Sequence, residues 1–163
     1  MKKKYLVTGG SGFIGSALVK KLLNEGHSVR VFDNNSRGNL RRLESVIDKI
    51  EFVEGDIRDL AQVEDACKDI DAVCHLAFVN GTKFFYEIPE KVLDVNIKGM
   101  QNLLEFSRKR DINDILFTSS SEVYGYPKIF PTPETEELSI PDVYNPRFSY
   151  SSSKIIGEVL CIN

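Results

Sequence analysis

The sequence has few of the residues that mark disulfide-rich and metal-binding proteins. Its 163 residues include three cysteines, Cys67, Cys74 and Cys161, and two histidines. An odd number of cysteines without paired spacing predicts neither a disulfide framework nor a zinc site. The two histidines, His27 and His75, lie too far apart in the sequence to suggest a pair of metal ligands, so we expect no metal.

The sequence also lacks a strong charge of either sign and a long hydrophobic run. It has 21 Lys and Arg against 24 Asp and Glu, a net charge of −3 that offers no basic surface to nucleic acid. No apolar run approaches the roughly 18 residues of a membrane helix, and the glycines from Gly9 follow the N-terminal lysines too closely for a signal peptide. We therefore expect a soluble, cytoplasmic protein with neither a nucleic-acid nor a membrane partner.

Strand-like and helix-like segments alternate along the chain. Apolar runs predict strands at 5–8, 28–32, 50–54, 72–76 and 114–118, and helical spacing predicts helices at 39–46, 60–68 and 89–110. Alternation without hairpin signals is typical of a parallel sheet covered by helices on both faces. The prediction is an α/β, doubly wound parallel sheet of the Rossmann type, with residues 1–163 as one domain. The proline-rich stretch 126–146 is predicted to be irregular.

A glycine-rich turn between the first strand and the first helix is the most informative local feature. Gly9, Gly12 and Gly15 fit G-x-x-G-x-x-G, and residues 10, 12 and 15 also fit G-x-G-x-x-G. Glycine permits the tight turn and close backbone approach, while the helix N-terminus attracts an anion. The turn therefore predicts a site for the pyrophosphate of a dinucleotide. A helical stripe of Ile14, Ala17, Leu18, Leu22 and Leu23 should face the core.

An acidic residue follows the second strand at the position expected for a dinucleotide site. Asp33 lies about 20 residues after the glycines, where a carboxylate binds the adenosine ribose hydroxyls. A carboxylate there repels a 2′-phosphate, which favours NAD over NADP, although Arg37 would soften that preference. The alternative interpretation is that Asp33 and Asn34 only form a turn.

A tyrosine and a lysine are spaced by four residues near the C-terminus. In a helix, this spacing places Tyr150 and Lys154 on one face. A neighbouring ammonium group favours the phenolate form of a tyrosine, which can act as a base. The alternative is a surface pair without a catalytic role, but the glycine turn favours the catalytic interpretation.

With these motifs the chain resembles the extended short-chain dehydrogenase/reductase superfamily, in its NAD-dependent epimerase/dehydratase family, whose members act on nucleotide sugars. The similar segments cover essentially the whole chain and occur in the expected order: 8–15, 55–59, 75–77, 96–99, 119–125 and 146–154.

The resemblance implies a role for each matching residue. Tyr150 would be the base that takes the proton of a sugar hydroxyl, Lys154 would tune it and bind ribose, and Ser120 would hydrogen-bond the reacting oxygen. Ser119 to Ser121 could otherwise merely end a strand. The implied NAD contacts are Gly9, Gly12, Phe13, Ile14, Gly15, Asp33, Asn34, Asp56, Ile57, Leu76, Ala77, Asn96, Tyr150 and Lys154. Asn96 could instead only bend its helix.

Ser121 and Phe78 depart from the family pattern. Glu122 is the glutamate that works beside the serine in dehydratases and uronate decarboxylases, but Ser121 stands where dehydratases have aspartate. This leaves an epimerase and a nucleotide-sugar (uronate) decarboxylase open, and Glu122 could also be a solvent-facing loop residue. Phe78 stands where the family commonly has a small residue, so its ring is expected to narrow the nicotinamide or substrate space.

The family also implies a longer protein. Its members usually run to roughly twice this length and add a C-terminal lobe that binds the substrate, so we expect the chain to be truncated before that lobe and to turn over substrate poorly.

The resemblance further suggests a homodimer built on 89–110 and the helix of Tyr150. Two alternatives are an NADP-dependent carbonyl reductase and a non-catalytic dinucleotide-binding module.

Overall fold

The computed structural model of the chain describes residues 2–163. Two compact units are present: the first runs up to Ala77 and includes Lys98–Thr118, and the second consists of Phe78–Ile97 and Ser119–Asn163. Each unit is described separately. The single domain over residues 1–163 stays a prediction.

The first unit contains a five-stranded parallel sheet. Its strands, in chain order β1 to β5, are Lys4–Thr8, Ser28–Asp33, Ile50–Glu54, Ala72–His75 and Asp114–Phe117. They are arranged in the order β3-β2-β1-β4-β5, and every neighbouring pair is parallel. The predicted parallel α/β sheet is confirmed.

Helices of several kinds connect the strands or form the second unit. The α-helices, α1 to α6, are Phe13–Asn24, Leu60–Ala66, Thr82–Glu87, Pro89–Leu93, Gly99–Lys109 and Phe148–Ile162. Two 3₁₀ helices span Leu40–Lys49 and Ser121–Tyr124, and a π-helical turn spans Asp94–Lys98. No helix within 2–163 is both long and apolar enough to cross a membrane.

Both faces of the sheet are buried in the first unit. Leu6 and Val7 are neighbours on β1, so their side chains point to opposite faces, and both are fully buried. Val7 packs in a cluster with Val19 and Leu22 of α1 and with Leu43 of the first 3₁₀ helix. This double coverage is typical of a doubly wound sheet.

The buried face of α1 contains part of the predicted stripe: Leu22 is buried, and Leu18 and Leu23 are partly buried against the same core cluster. Ile14 and Ala17 are exposed, and the buried positions are Gly15, Ser16, Val19 and Leu22. A Cβ added to Gly15 would lie 2.2 Å from the Gly9 carbonyl oxygen, so close packing on the turn sets which face of the helix is inward. Counting apolar residues missed this because the contact is made by a glycine.

The predicted helix at 89–110 is interrupted. It consists of α4, the π-helical turn and α5. Asn96, in the π-helical turn, is buried and uses its side-chain amide for hydrogen bonds to other segments. An inward-facing polar residue of this kind is a common cause of a π-bulge, a feature frequent at functional sites.

In the second unit, α3, α4 and the second 3₁₀ helix pack against α6. Phe85, Val92 and Tyr150 form its hydrophobic cluster. Residues 125–147 form turns and bends, as their prolines predict.

Candidate functional site

The glycine turn lies where a parallel sheet changes its winding direction. It follows β1, and the neighbours of β1 are β2 on one side and β4 on the other. Ligands of doubly wound sheets bind beyond the carboxyl ends of the strands at such a switch point. The topology therefore marks the turn after Thr8 as a binding site.

The turn needs glycine at two positions for steric reasons. Gly9 has φ of +70°, and a Cβ there would lie 2.6 Å from the Leu76 carbonyl oxygen. At Gly15 a Cβ would collide with the carbonyl of Gly9. Because Gly12 caps α1 without a side chain, no side-chain oxygen blocks the first amide N–H groups of the helix. This arrangement suits a phosphate anion.

Phe13 and Ile14 begin α1 with their side chains in solvent. They are 83% and 68% exposed, respectively. Both residues flank the uncapped N–H groups of α1. Their predicted contact with NAD stays a prediction.

Asp33 lies beside the glycine turn, as its spacing predicted. Its carboxylate accepts hydrogen bonds from the backbone N–H of Ser11 at 3.0 Å and of Asn35 at 2.9 Å. Ser11 Oγ also donates to Asn35 Oδ1 at 2.9 Å. A carboxylate has about four acceptor positions, so these two bonds orient Asp33 and leave capacity for ribose hydroxyls. No sequence signal predicts the role of Ser11, because the contact depends on the loop after β2.

A second carboxylate follows β3. Asp56 accepts hydrogen bonds from Arg58 Nε at 3.0 Å and Arg58 Nη2 at 2.8 Å, which lower the pKa of Asp56 to about 2. Asn34 Nδ2 donates to the same carboxylate at 3.4 Å, so two of the residues predicted to contact NAD lie together. Ile57, in contrast, is buried against Gly99.

The segment after β4 contacts the turn through a buried threonine. Thr8 Oγ1 accepts the backbone N–H groups of Leu76 and Ala77 at 3.2 and 3.3 Å, and lies 2.7 Å from His75 Nδ1. Leu76 and Ala77 therefore lie beside Gly9, and their implied contact with NAD stays a prediction. The organising residue, Thr8, was missed because it reads as an ordinary strand residue.

The second unit places Tyr150 and Lys154 side by side. Tyr150 is 6% exposed and Lys154 is 1% exposed, on the inner face of α6. Lys154 Nζ lies 5.6 Å from the centre of the Tyr150 ring. Phe85 stacks on Tyr150 with 5.2 Å between ring centres and 16° between ring planes. A lysine and a tyrosine buried this deeply are not a surface pair, and their catalytic role stays a prediction.

Burial changes the charge of Lys154. Removal from water lowers the pKa of Lys154 from 10.5 to about 7. The amine therefore loses its proton much more readily than an exposed lysine, whereas the sequence alone predicted an ammonium beside Tyr150. Such a shift in a buried lysine is frequent at catalytic sites.

Asn96 connects the two sides of this site. Its Oδ1 accepts the Val79 N–H at 2.9 Å, and its Nδ2 donates to Ser153 Oγ at 2.9 Å. Ser153 Oγ in turn donates to the carbonyl of Tyr150 at 2.6 Å. The structure therefore gives Asn96 a positioning function on α6, and its contact with NAD stays a prediction.

Ser120 and Glu122 lie at the second 3₁₀ helix. Ser120 caps this helix, and its Oγ accepts the Glu122 N–H at 3.3 Å. Oε1 of the Glu122 carboxylate lies 3.9 Å from Nη2 of Arg147, the residue that immediately precedes α6. Ser119 donates to the Glu158 carboxylate of α6. These contacts tie the serine segment to the helix that carries Tyr150, and sequence reasoning missed Arg147 and Glu158.

Comparison with known proteins identifies the family of the chain. The model of the NAD dependent epimerase/dehydratase family matches residues 5–163. A putative UDP-glucose 4-epimerase of Methanocaldococcus jannaschii is 39% identical over 155 residues, covering 94% of this chain and 48% of the relative. A UDP-N-acetyl-alpha-D-glucosaminuronate decarboxylase of Bacillus cytotoxicus is 33% identical over 162 residues, covering 99% of this chain and 50% of the relative.

A solved structure extends the likeness to three dimensions. The UDP-glucose 4-epimerase from Brucella ovis, crystallised in complex with NAD, superposes with a TM-score of 0.84 at 34% identity and covers 97% of this chain and 46% of that one. The chain thus spans about half the length of the relatives it matches. With a family model that matches almost every residue, the chain belongs to the NAD dependent epimerase/dehydratase family.

Proposed function

We propose that the first unit binds NAD through the glycine turn, Asp33 and Asp56. The residues fit this cofactor, because glycine at positions 9 and 15 permits the tight backbone packing of the turn, where a Cβ would collide with neighbouring backbone atoms. The uncapped start of α1 suits the pyrophosphate, and Asp33 suits the ribose hydroxyls. The solved relative from Brucella ovis that carries NAD supports the same assignment.

Calorimetric titration with NAD and NADP tests the cofactor. We expect NAD to bind more tightly, because the Asp33 carboxylate repels a 2′-phosphate. Asp33→Asn should weaken NAD binding and reduce the preference, whereas the control Asp48→Asn, at an exposed position, should change neither. Tighter binding of NADP than of NAD would instead favour the carbonyl reductase alternative.

We infer that the second unit supplies the base for oxidation of a sugar hydroxyl. The observation that carries this inference is the joint burial of Tyr150 and Lys154 on one face of α6. Tyr150 would take the hydroxyl proton, and Lys154 would stabilise the resulting charge on the phenol oxygen when protonated. Bound NAD would supply the hydride acceptor for the carbon that bears this hydroxyl.

Ser120 fits the role of hydrogen-bond donor to the reacting oxygen. Its Oγ accepts the backbone N–H of Glu122, which orients the hydroxyl and leaves its proton to donate. A donor directed at an oxygen that becomes a carbonyl stabilises the charge that develops there. Ser120→Ala should therefore slow hydride transfer about 10²-fold without changing NAD affinity.

We propose a nucleotide sugar carrying UDP as the substrate, with epimerisation as the reaction. The named activities of the relatives from Methanocaldococcus jannaschii and Brucella ovis support this choice. A decarboxylase is the second candidate, because Glu122 is the acid expected beside the serine of uronate decarboxylases and a relative is named as such a decarboxylase.

Single-turnover absorbance of NADH distinguishes the candidates. UDP-glucose should reduce bound NAD if the chain is of the epimerase type, whereas reduction with UDP-glucuronate and release of CO₂ would indicate the decarboxylase. Tyr150→Phe should abolish reduction and retain NAD binding. NAD binding without reduction by any UDP-sugar would contradict the proposed reaction for this chain.

We also propose that two copies of the chain associate through α6. Ile156, Val159 and Ile162 are exposed apolar side chains at helical spacing on this helix. Concentration-dependent sedimentation tests the homodimer, and Val159→Glu should shift the equilibrium toward the monomer. A cytoplasmic location stays a prediction.

A further inference from the structure

The amine of Lys154 lies against the ring of Phe78. Nζ is 3.0 Å from the centre of that ring, closer than its 5.6 Å distance from the centre of the Tyr150 ring. From the sequence, this ring is expected to narrow the nicotinamide or substrate space. In the fold, its aromatic face lies directly on a residue of the proposed site.

The ring faces an amine that has almost no contact with water. Lys154 is 1% exposed, so its ammonium form has lost most of its hydration. The negative face of an aromatic ring attracts an ammonium, and the attraction is larger where water is excluded. The contact with the Phe78 ring therefore offsets part of the free-energy cost of removing the Lys154 ammonium from water.

Hydrogen bonds hold both partners of this contact. Val79, which follows Phe78, donates its N–H to Asn96 Oδ1 at 2.9 Å. The same amide donates through Nδ2 to Ser153 Oγ at 2.9 Å, and Ser153 precedes Lys154. Asn96 therefore fixes the backbone next to the ring and the helix next to the amine. The contact is built into the unit and does not depend on a flexible side chain alone.

A second phenylalanine of this unit packs on Tyr150 and not on the Lys154 amine. Phe85, in α3, stacks on Tyr150 at 5.2 Å between ring centres. Tyr150 and Lys154 are thus each covered by a different phenylalanine. This pairing provides a matched control, since Phe85 can be changed without removing the ring over Lys154.

We propose that Phe78 is a positioning residue for Lys154, whose ring holds the ammonium in place by a cation–π contact. This role rests on the proposed function only in that Lys154 is taken as a residue of the active site. A branched aliphatic side chain at position 78 would retain apolar volume but lose the attraction. A tyrosine would retain both.

Lysine NMR tests the contact in the chain as it exists. In protein labelled with ¹³C-lysine, the Lys154 Hε protons should resonate upfield of those of exposed lysines, because they lie over a ring face, and Lys154→Arg assigns the signal. Phe78→Leu should return the signal to the range of exposed lysines, and Phe78→Tyr should keep it upfield. Phe85→Leu should leave most of the upfield shift in place.

Chemical labelling supplies a second readout. With an amine-reactive reagent, Lys154 should react at least about fivefold faster relative to the exposed Lys91 in Phe78→Leu than in the wild type or Phe78→Tyr. An unshifted Lys154 signal in the folded wild type, or Phe78→Leu behaving as the wild type in both measurements, would overturn the proposal. Neither measurement uses NAD, so a failure of the proposed cofactor site would not affect the result.

Discussion

The buried amine of Lys154 predicts that the protein becomes more stable as the pH rises from 7 to 9. Burial lowers the pKa of Lys154 from 10.5 in the unfolded chain to about 7 in the folded chain. Below pH 7 the lysine is protonated in both states, and the folded state bears the full cost of the buried charge. Between pH 7 and 10.5 the unfolded state binds more protons, so the free energy of unfolding rises with pH.

The size of the effect follows from the two pKa values. The difference between 10.5 and about 7 corresponds to about 5 kcal/mol, at about 1.36 kcal/mol per pKa unit. Only the range up to pH 9 is suitable, because burial raises the pKa of Cys67 from 9.0 to about 11 and its delayed ionisation destabilises the fold above pH 9. Within pH 7 to 9, Lys154 should contribute an increase of about 2 kcal/mol.

Urea unfolding followed by circular dichroism at constant ionic strength measures this increase. The variant Lys154→Met has a similar length without a titrating group, so its free energy of unfolding should lack the increase. Lys91→Met removes an exposed lysine and should follow the wild type. If Lys154→Met and the wild type change in parallel between pH 7 and 9, within about 0.5 kcal/mol, the amine is not buried as described.

Two further substitutions test the packing of each unit. Gly15→Ala places a Cβ 2.2 Å from the Gly9 carbonyl oxygen. It should lower the free energy of unfolding in urea by about 1–3 kcal/mol and weaken NAD binding in calorimetry. Unchanged stability together with unchanged affinity would contradict the close packing of the turn. Asn96→Leu leaves the half-buried Val79 N–H and the buried Ser153 Oγ without this amide, and should cost about 2–4 kcal/mol in the same urea assay. Ser153→Ala should cost less, and equal and small losses would show that the network is not closed as described.

Much of the first unit could be predicted because its signals are local. Glycine spacing, strand patterns and the position of Asp33 each depend on a few neighbouring residues, and all five strands were found within about one residue of their ends. The face of α1 could not be predicted in this way, since Ile14 is apolar and yet exposed. Hydrophobic counting assigns an inward face to such a residue, but here a backbone contact of Gly15 sets the face.

The second unit was harder to predict because its contacts join distant segments. The four-residue spacing of Tyr150 and Lys154 predicts a shared helix face but gives neither burial nor charge. Asn96 was assigned to a helix without any indication that its amide bonds Ser153, which is 57 residues away in the chain. Phe78 was recognised only as an unusually large side chain, and its contact with Lys154 is visible only in the fold.

The sequence by itself determined the parallel α/β sheet, the glycine turn and the identity of the residues that can do chemistry, because each follows from short-range spacing or from side-chain type. Tertiary structure alone decided that Lys154 is removed from water, that Phe78 lies on its amine and that Asn96 holds both segments. Desolvation and hydrogen bonding depend on which distant atoms meet, and this sets the charge of Lys154 near neutral pH.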